Sequence, residues 1–144
     1  MRDNSLKNHF LIATPQLDSG FFAGSVTYIC EHDAEGAMGI VVNHPLDVRV
    51  DEVLDQLSLA DAARPHNEPV LAGGPLHTDR GFVLHSRAQR HWQDSMTIGD
   101  GIQLTTSLDI LSAIAANAAS MRFAACVMRH RTSSAYFGLP AMGL

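Results

Sequence analysis

The stretch Ser25 to Asn43, SVTYICEHDAEGAMGIVVN, constrains the fold more than any other part of the chain. Its first arm carries the β-branched and aromatic residues that suit a pleated strand, Asp33 to Gly36 supply turn chemistry, and Ala37 to Asn43 form an apolar returning arm. A β-hairpin follows. The first arm also sets a thiol, a carboxylate and an imidazole in a row at Cys30, Glu31 and His32. On a regular strand successive side chains alternate, so Cys30 and His32 share a face about 6.6 Å apart while Glu31 points away. The triplet is therefore not a triad. Cys30 reads either as a small hydrophobe packed in the core or as a thiolate activated by His32, Arg80 or the amides of Ser107 and Leu108.

The remaining segments alternate in period. HFLIAT reads as a short buried strand that stops at Pro15, because proline lacks the ladder's amide donor. In HPLDVRVDEVLDQLSL the spacing of Val50, Val53, Leu54 and Leu57 predicts a short amphipathic helix, with Asp51, Glu52, Asp55 and Gln56 opposite. Residues 60–69 have no period and form the longest loop. PVLAGGPLHTDRGFVLHS carries two strands around a glycine and proline corner, and MTIGDGIQLTT a second hairpin through its Asp-Gly step. A helix is expected in TSLDILSAIAANAA, with Thr106 as cap, Asp109 in the capping-box position and Leu108, Ile110, Leu111, Ile114 and Ala115 as the buried stripe. RFAACVM supplies a last strand. Paired strands with two interposed helices define an α+β domain.

With 144 residues the chain suits one domain, able to bury roughly 68% of its unfolded surface. Ten Lys and Arg against 15 Asp and Glu leave a net charge of -5, which opposes the electrostatic term behind nucleic-acid affinity, so direct DNA binding is not expected. The densest basic cluster, Arg129, His130 and Arg131, reads as a solvated tail. The N-terminus lacks a leader-like apolar region, and no apolar run approaches ~18 residues, so the expectation is a cytoplasmic protein without a membrane span. Cys30 and Cys126 are too few for a disulfide framework and form no CxxC pair.

Eight histidines form no paired metal-ligand spacing, and neither metal nor cofactor is expected. AGGPLHTDRGF could bring backbone amides and Arg80 near an anion, but it matches no phosphate-binding motif. Gly73, Gly74 and Pro75 read first as a tight corner that could line a groove. No GxSxG elbow is present, and Ser107 reads as a helix-start residue.

In order, LKNHFLIATP, YICEHDAEGAMGIVVNHPL, LAGGP, RGFVLHS and DGIQLTTSLDIL resemble the YqgE/AlgH family of bacterial proteins over about residues 6 to 125. The resemblance implies an α+β fold of mainly antiparallel strands curled into a pseudo-barrel with helices outside. It further implies a regulatory protein, of the transcriptional kind and linked by name to control of alginate production, with no established reaction. The family's recurring surface features match at Cys30, Glu31, His32, Gly39 and Asn43, at Gly73, Gly74 and Pro75, at Arg80 to Phe82, and at Thr105 to Leu108. Cys30, His32, Asn43, Gly73, Gly74, Pro75, Arg80, Thr105 and Ser107 are thus the candidate functional surface. Two functions follow: a non-catalytic regulator or adaptor that contacts a protein or small ligand, or a thiol-based redox sensor or enzyme at Cys30. Residues 126–144 depart from the family pattern, so a truncated domain with a divergent tail is the expectation, poorly ordered from about Arg129 onward.

Overall fold

The computed structural model describes residues 5–74, 80–86, 91–99, 101–116 and 123–128. The expectations for Pro75 and for the tail beyond Met128 lie outside these residues.

The strands form two sheets. The smaller has the order β1 (Phe10–Ile12), β2 (Val26–Asp33), β3 (Gly36–Val41), all antiparallel. The larger contains β4 (Pro45–Arg49), β5 (Pro69–Ala72), β6 (Arg80–Ser86), β7 (Ser95–Gly99), β8 (Ile102–Thr105) and β9 (Phe123–Met128), in the order β4-β5-β9-β6-β8-β7. Only its β5–β9 pair is parallel among the pairings described. Among the described residues two helices, α1 (Val50–Gln56) and α2 (Asp109–Ala115), complete an α+β fold. Among the described residues the strand pairings do not close into a barrel. The sheets instead meet through a backbone hydrogen bond from Val41 N to Gly73 O of 2.9 Å.

Alternation along β6 and β8 divides the core into layers. One face of the larger sheet carries Leu71, Phe82, Leu84 and Leu104, which pack against Tyr28, Cys30 and Ile40 of the smaller sheet. Its other face carries Val70 and Val83, covered by Val50 and Leu54 of α1, by Trp92, and by Ile110 and Ile114 of α2. Beyond the smaller sheet, Leu11 and Ile29 pack with Leu6 and Phe22. The larger sheet is thus the middle layer, apolar on both sides.

Several local expectations change. HFLIAT is not buried throughout: Leu11 is, but Phe10 is 57% and Ile12 68% exposed, because side chains on the edge strand β1 alternate and these two point to the face opposite Leu11. A strand, β4, precedes α1 where only a helix was expected; Pro45 is accommodated because it opens an edge strand. α2 begins at Asp109, with Leu108 as an N-cap that makes no side-chain bond, so Thr106 does not cap it. Thr106 N instead donates to Asp94 O at 3.0 Å. Leu108 also leaves the buried stripe, at 64% exposure.

Candidate functional site

The hairpin β2–β3 forms as expected, but its register shifts between Ile29, opposite Gly39, and Glu31, opposite Met38. Cys30 is the extra residue of a β-bulge, which sets two residues against one and breaks the alternation. Cys30 therefore turns into the core between the sheets, while His32, opposite Ala37, turns to the face that carries Ile29. The two do not share a face. Cys30 is 0% exposed, and its Sγ lies 3.6 Å from Tyr28 O. His32 Nδ1 accepts from Leu6 N at 2.7 Å, and its carbonyl accepts from Ser5 Oγ. The imidazole anchors the N-terminal segment rather than activating the thiol.

Asn43 has a bracing role of the same kind. Its Oδ1 accepts from Val26 N and its Nδ2 donates to Gly24 O, both at 2.9 Å, so the side chain continues the β2–β3 ladder past Val41. Gly73 and Gly74 are buried, and Gly73 receives the Val41 amide where the sheets meet. Strand registers bring the backbone of Arg80, opposite Met128, to the end of the larger sheet that also holds Gly73 and the exit of β8 toward Ser107. Gly73, Arg80 and Ser107 thus share one sheet end, while Cys30 is fully buried in the core between the sheets.

Ser107 belongs to a brace that starts α2. It accepts from Asp94 N at 3.1 Å and donates to Asp109 Oδ1, while Asp109 Oδ2 accepts from Gln93 N at 2.8 Å. Desolvation would raise the Asp109 carboxyl, but the bonds from Ser107 and the amides of Gln93, Ile110 and Asp109 itself outweigh it and hold the pKa below the ordinary value.

Thr105 has the partner that sequence reasoning missed. Val83 is opposite Thr105 and Leu84 opposite Leu104, so His85, two residues along from Val83, rises on the same face as Thr105. His85 Nε2 lies 2.7 Å from Thr105 Oγ1, and Nδ1 2.8 Å from Ser86 O. Ser95, opposite Thr105 on β7, places its Oγ 2.7 Å from the same Oγ1. A carbonyl only accepts, so Nδ1 carries the proton and Nε2 accepts from Thr105; Thr105 then accepts from Ser95. Burial holds His85 below its ordinary pKa against the opposing Ser86 carbonyl, which keeps the ring neutral. The result is a directed chain from Ser95 through Thr105 to His85. The sequence signal was present only as serine, threonine and histidine in strands, with nothing to set their register.

Among the described residues no group of three or more His, Cys, Asp or Glu could hold a metal, and no helix is long and apolar enough to cross a membrane.

Residues 10–128 match the family described as AlgH-like, three residues past Ala125, where the match was expected to end. β9 keeps its pairing over the same stretch, with Cys126 opposite Phe82 and Met128 opposite Arg80. A UPF0301 protein of Chromohalobacter salexigens is 47% identical over 124 residues, covering 85% of this chain and 67% of that protein. Another, from Shewanella sp. strain W3-18-1, is 53% identical over 116 residues, covering 76% of this chain and 60% of its own length. This chain therefore spans between 60% and 67% of these two relatives. The solution structure of the AlgH protein from Pseudomonas aeruginosa superposes with a TM-score of 0.74 at 37% identity, covering 95% of this chain and 74% of that one. A crystal structure of a Corynebacterium diphtheriae protein, with a TM-score of 0.60 and 21% identity over 87% of this chain and 66% of that one, shares the fold.

Proposed function

The chain belongs to the AlgH-like family, and from that premise we propose that it is a cytoplasmic, non-catalytic regulatory or adaptor protein that works by contact with a protein partner or small ligand. The observation that carries this reading is the apolar character of two sheet edges that no described strand covers. Phe10 and Ile12 stand exposed on β1, and Leu46 and Val48 on β4, each strand lying at the end of its sheet. Open edges offer unpaired backbone groups to an added strand, and apolar side chains supply its pockets. Any effect on transcription then passes through a protein, since the net charge of -5 disfavours direct DNA contact. In the same reading the two sheets are parts of one curled pseudo-barrel with the helices outside, a view supported by the Val41 to Gly73 bond. A thiol reaction at Cys30 is opposed by its 0% exposure.

Affinity capture with the wild type and with a Phe10→Glu, Ile12→Lys variant tests the reading. A partner held by the wild type and lost by a folded variant supports it. Equal retention by both moves the contact elsewhere, and no partner under any condition counts against an adaptor role.

A further inference from the structure

The Ser95–Thr105–His85 chain does more than satisfy a buried imidazole. His85 is 3% exposed, and its two ring nitrogens are already partnered by Ser86 O and Thr105 Oγ1. Ser95 adds nothing to that satisfaction. It is itself an exposed residue, at the start of the edge strand β7, and its proton is directed inward through Thr105 toward a neutral imidazole nitrogen. A hydroxyl whose proton is drawn toward a base, on a residue that solvent reaches, is the arrangement that activated nucleophiles share.

We infer that Ser95 is an acyl-acceptor site, acylated once by an activated, uncharged ester or thioester while Thr105 and His85 draw off its proton. In the step, the Ser95 oxygen forms a bond to the acyl carbon as the bond from that carbon to the leaving oxygen or sulfur breaks. The Ser95 proton passes to Thr105 Oγ1 as the Thr105 proton passes to His85 Nε2; as the leaving group departs, His85 returns its proton to Thr105 and the Thr105 hydroxyl gives one to the departing oxygen or sulfur, so both side chains end as they began. The products are the seryl ester and a free alcohol or thiol. The local charge selects the donor. Asp94 immediately precedes Ser95, and the adjacent Gln93 amide holds the Asp109 carboxylate, so this negative rim disfavours phosphoryl and other anionic donors. A single transfer requires no turnover, and the inference stands independently of the adaptor reading.

The experiment treats the full chain with p-nitrophenyl acetate, follows p-nitrophenol release and locates the acetyl group by peptide mass spectrometry. The expected result is one acetyl per chain on Ser95, absent from Ser95→Ala, with Lys7 labelled more slowly. Thr105→Val should lower the Ser95 rate about 100-fold, the scale of a lost general base, and Thr105→Ser should restore most of it. A merely structural Thr105 would not give that split. Because Thr105→Val could unfold, the wild type is also labelled in urea, where Ser95 should lose its advantage over other hydroxyls. Acetylation at Lys7 with none at Ser95, Ser95 labelling that persists in urea, or equal rates in folded Thr105→Val and wild type would each overturn the inference.

Discussion

The Tyr28 hydroxyl donates to Oδ1 of Asn8, a residue held at φ 67° against Gly99 of the second hairpin. Asparagine tolerates that left-handed backbone better than most residues. The contact joins three parts of the chain: β2 of the smaller sheet, the N-terminal segment, whose Asn8 amide also donates to Ile29 O at 2.8 Å, and β7 of the larger sheet. Desolvation, and then the nearby Cys30 thiol, push Tyr28 above its ordinary pKa.

Gly99→Ala should break this junction. A Cβ at Gly99 would meet Asn8 Nδ2 at 2.5 Å and Cγ at 2.6 Å, so the side chain must swing off the Tyr28 hydroxyl. The expected loss is about 1 to 2 kcal/mol, one part-buried hydrogen bond whose Tyr28 hydroxyl, in a buried side chain, is left without its partner. Urea midpoints measure it, and no loss would show that Asn8 relocates without cost.

Gly39→Val should destabilise more than Glu31→Ala. A Cβ at Gly39 would lie 2.9 Å from Thr27 Cγ2 and 3.0 Å from Tyr28 O, and backbone cannot yield as a side-chain tip does. The overpacking cost is about 1 to 3 kcal/mol, whereas removal of the exposed Glu31 carboxylate should stay within about 0.5 kcal/mol. Paired denaturant curves decide the order. An equal loss at Glu31 would mean that the carboxylate is bonded where the strand looks open.

Asn43→Ala should cost about 1 to 2 kcal/mol by removing both bonds of the clamp between Val26 and Gly24. Asn43→Asp keeps the acceptor for Val26 N and loses the donor to Gly24 O, so it should fall between. Hydrogen exchange at the Val26 amide gives a local readout. That amide should exchange faster in Asn43→Ala and remain protected in Asn43→Asp.

Acid should weaken the fold through His85. Its folded pKa lies below the ordinary 6.5, so the unfolded chain takes up a proton first as the pH falls. Its contribution is fully present above about pH 6.5 and declines below it, until folded His85 also titrates. One group limits the slope to ~1.4 kcal/mol per pH unit. Urea midpoints of wild type and His85→Gln, taken from about pH 7.5 to about pH 5, should differ in slope over that window. Parallel curves would show that His85 titrates alike in the folded and the unfolded chain.

What the sequence by itself determined is what neighbouring residues decide together. The hairpins Val26–Val41 and Ser95–Thr105 form where β-branched arms flank Asp-Gly or Asp-Ala-Glu-Gly, because turn geometry is a property of a few adjacent backbone angles. α1 forms where Val50, Val53 and Leu54 recur at helical spacing, because one turn brings them to one side. The bulge at Cys30 lay beyond such reasoning, since an extra residue leaves composition and pattern unchanged and shows only against the partner strand. That register separated Cys30 from His32 and reversed the reading of the most reactive-looking triplet. The start of α2 likewise depended on Asp94 and Gln93, which draw Thr106, Ser107 and Asp109 into a brace before the helix begins. Thr105 met His85 and Ser95 only because β8 pairs with β6 on one side and β7 on the other. Pairing over such separations is set by burial on both faces of the larger sheet, so only the packed tertiary structure could decide which side chains meet.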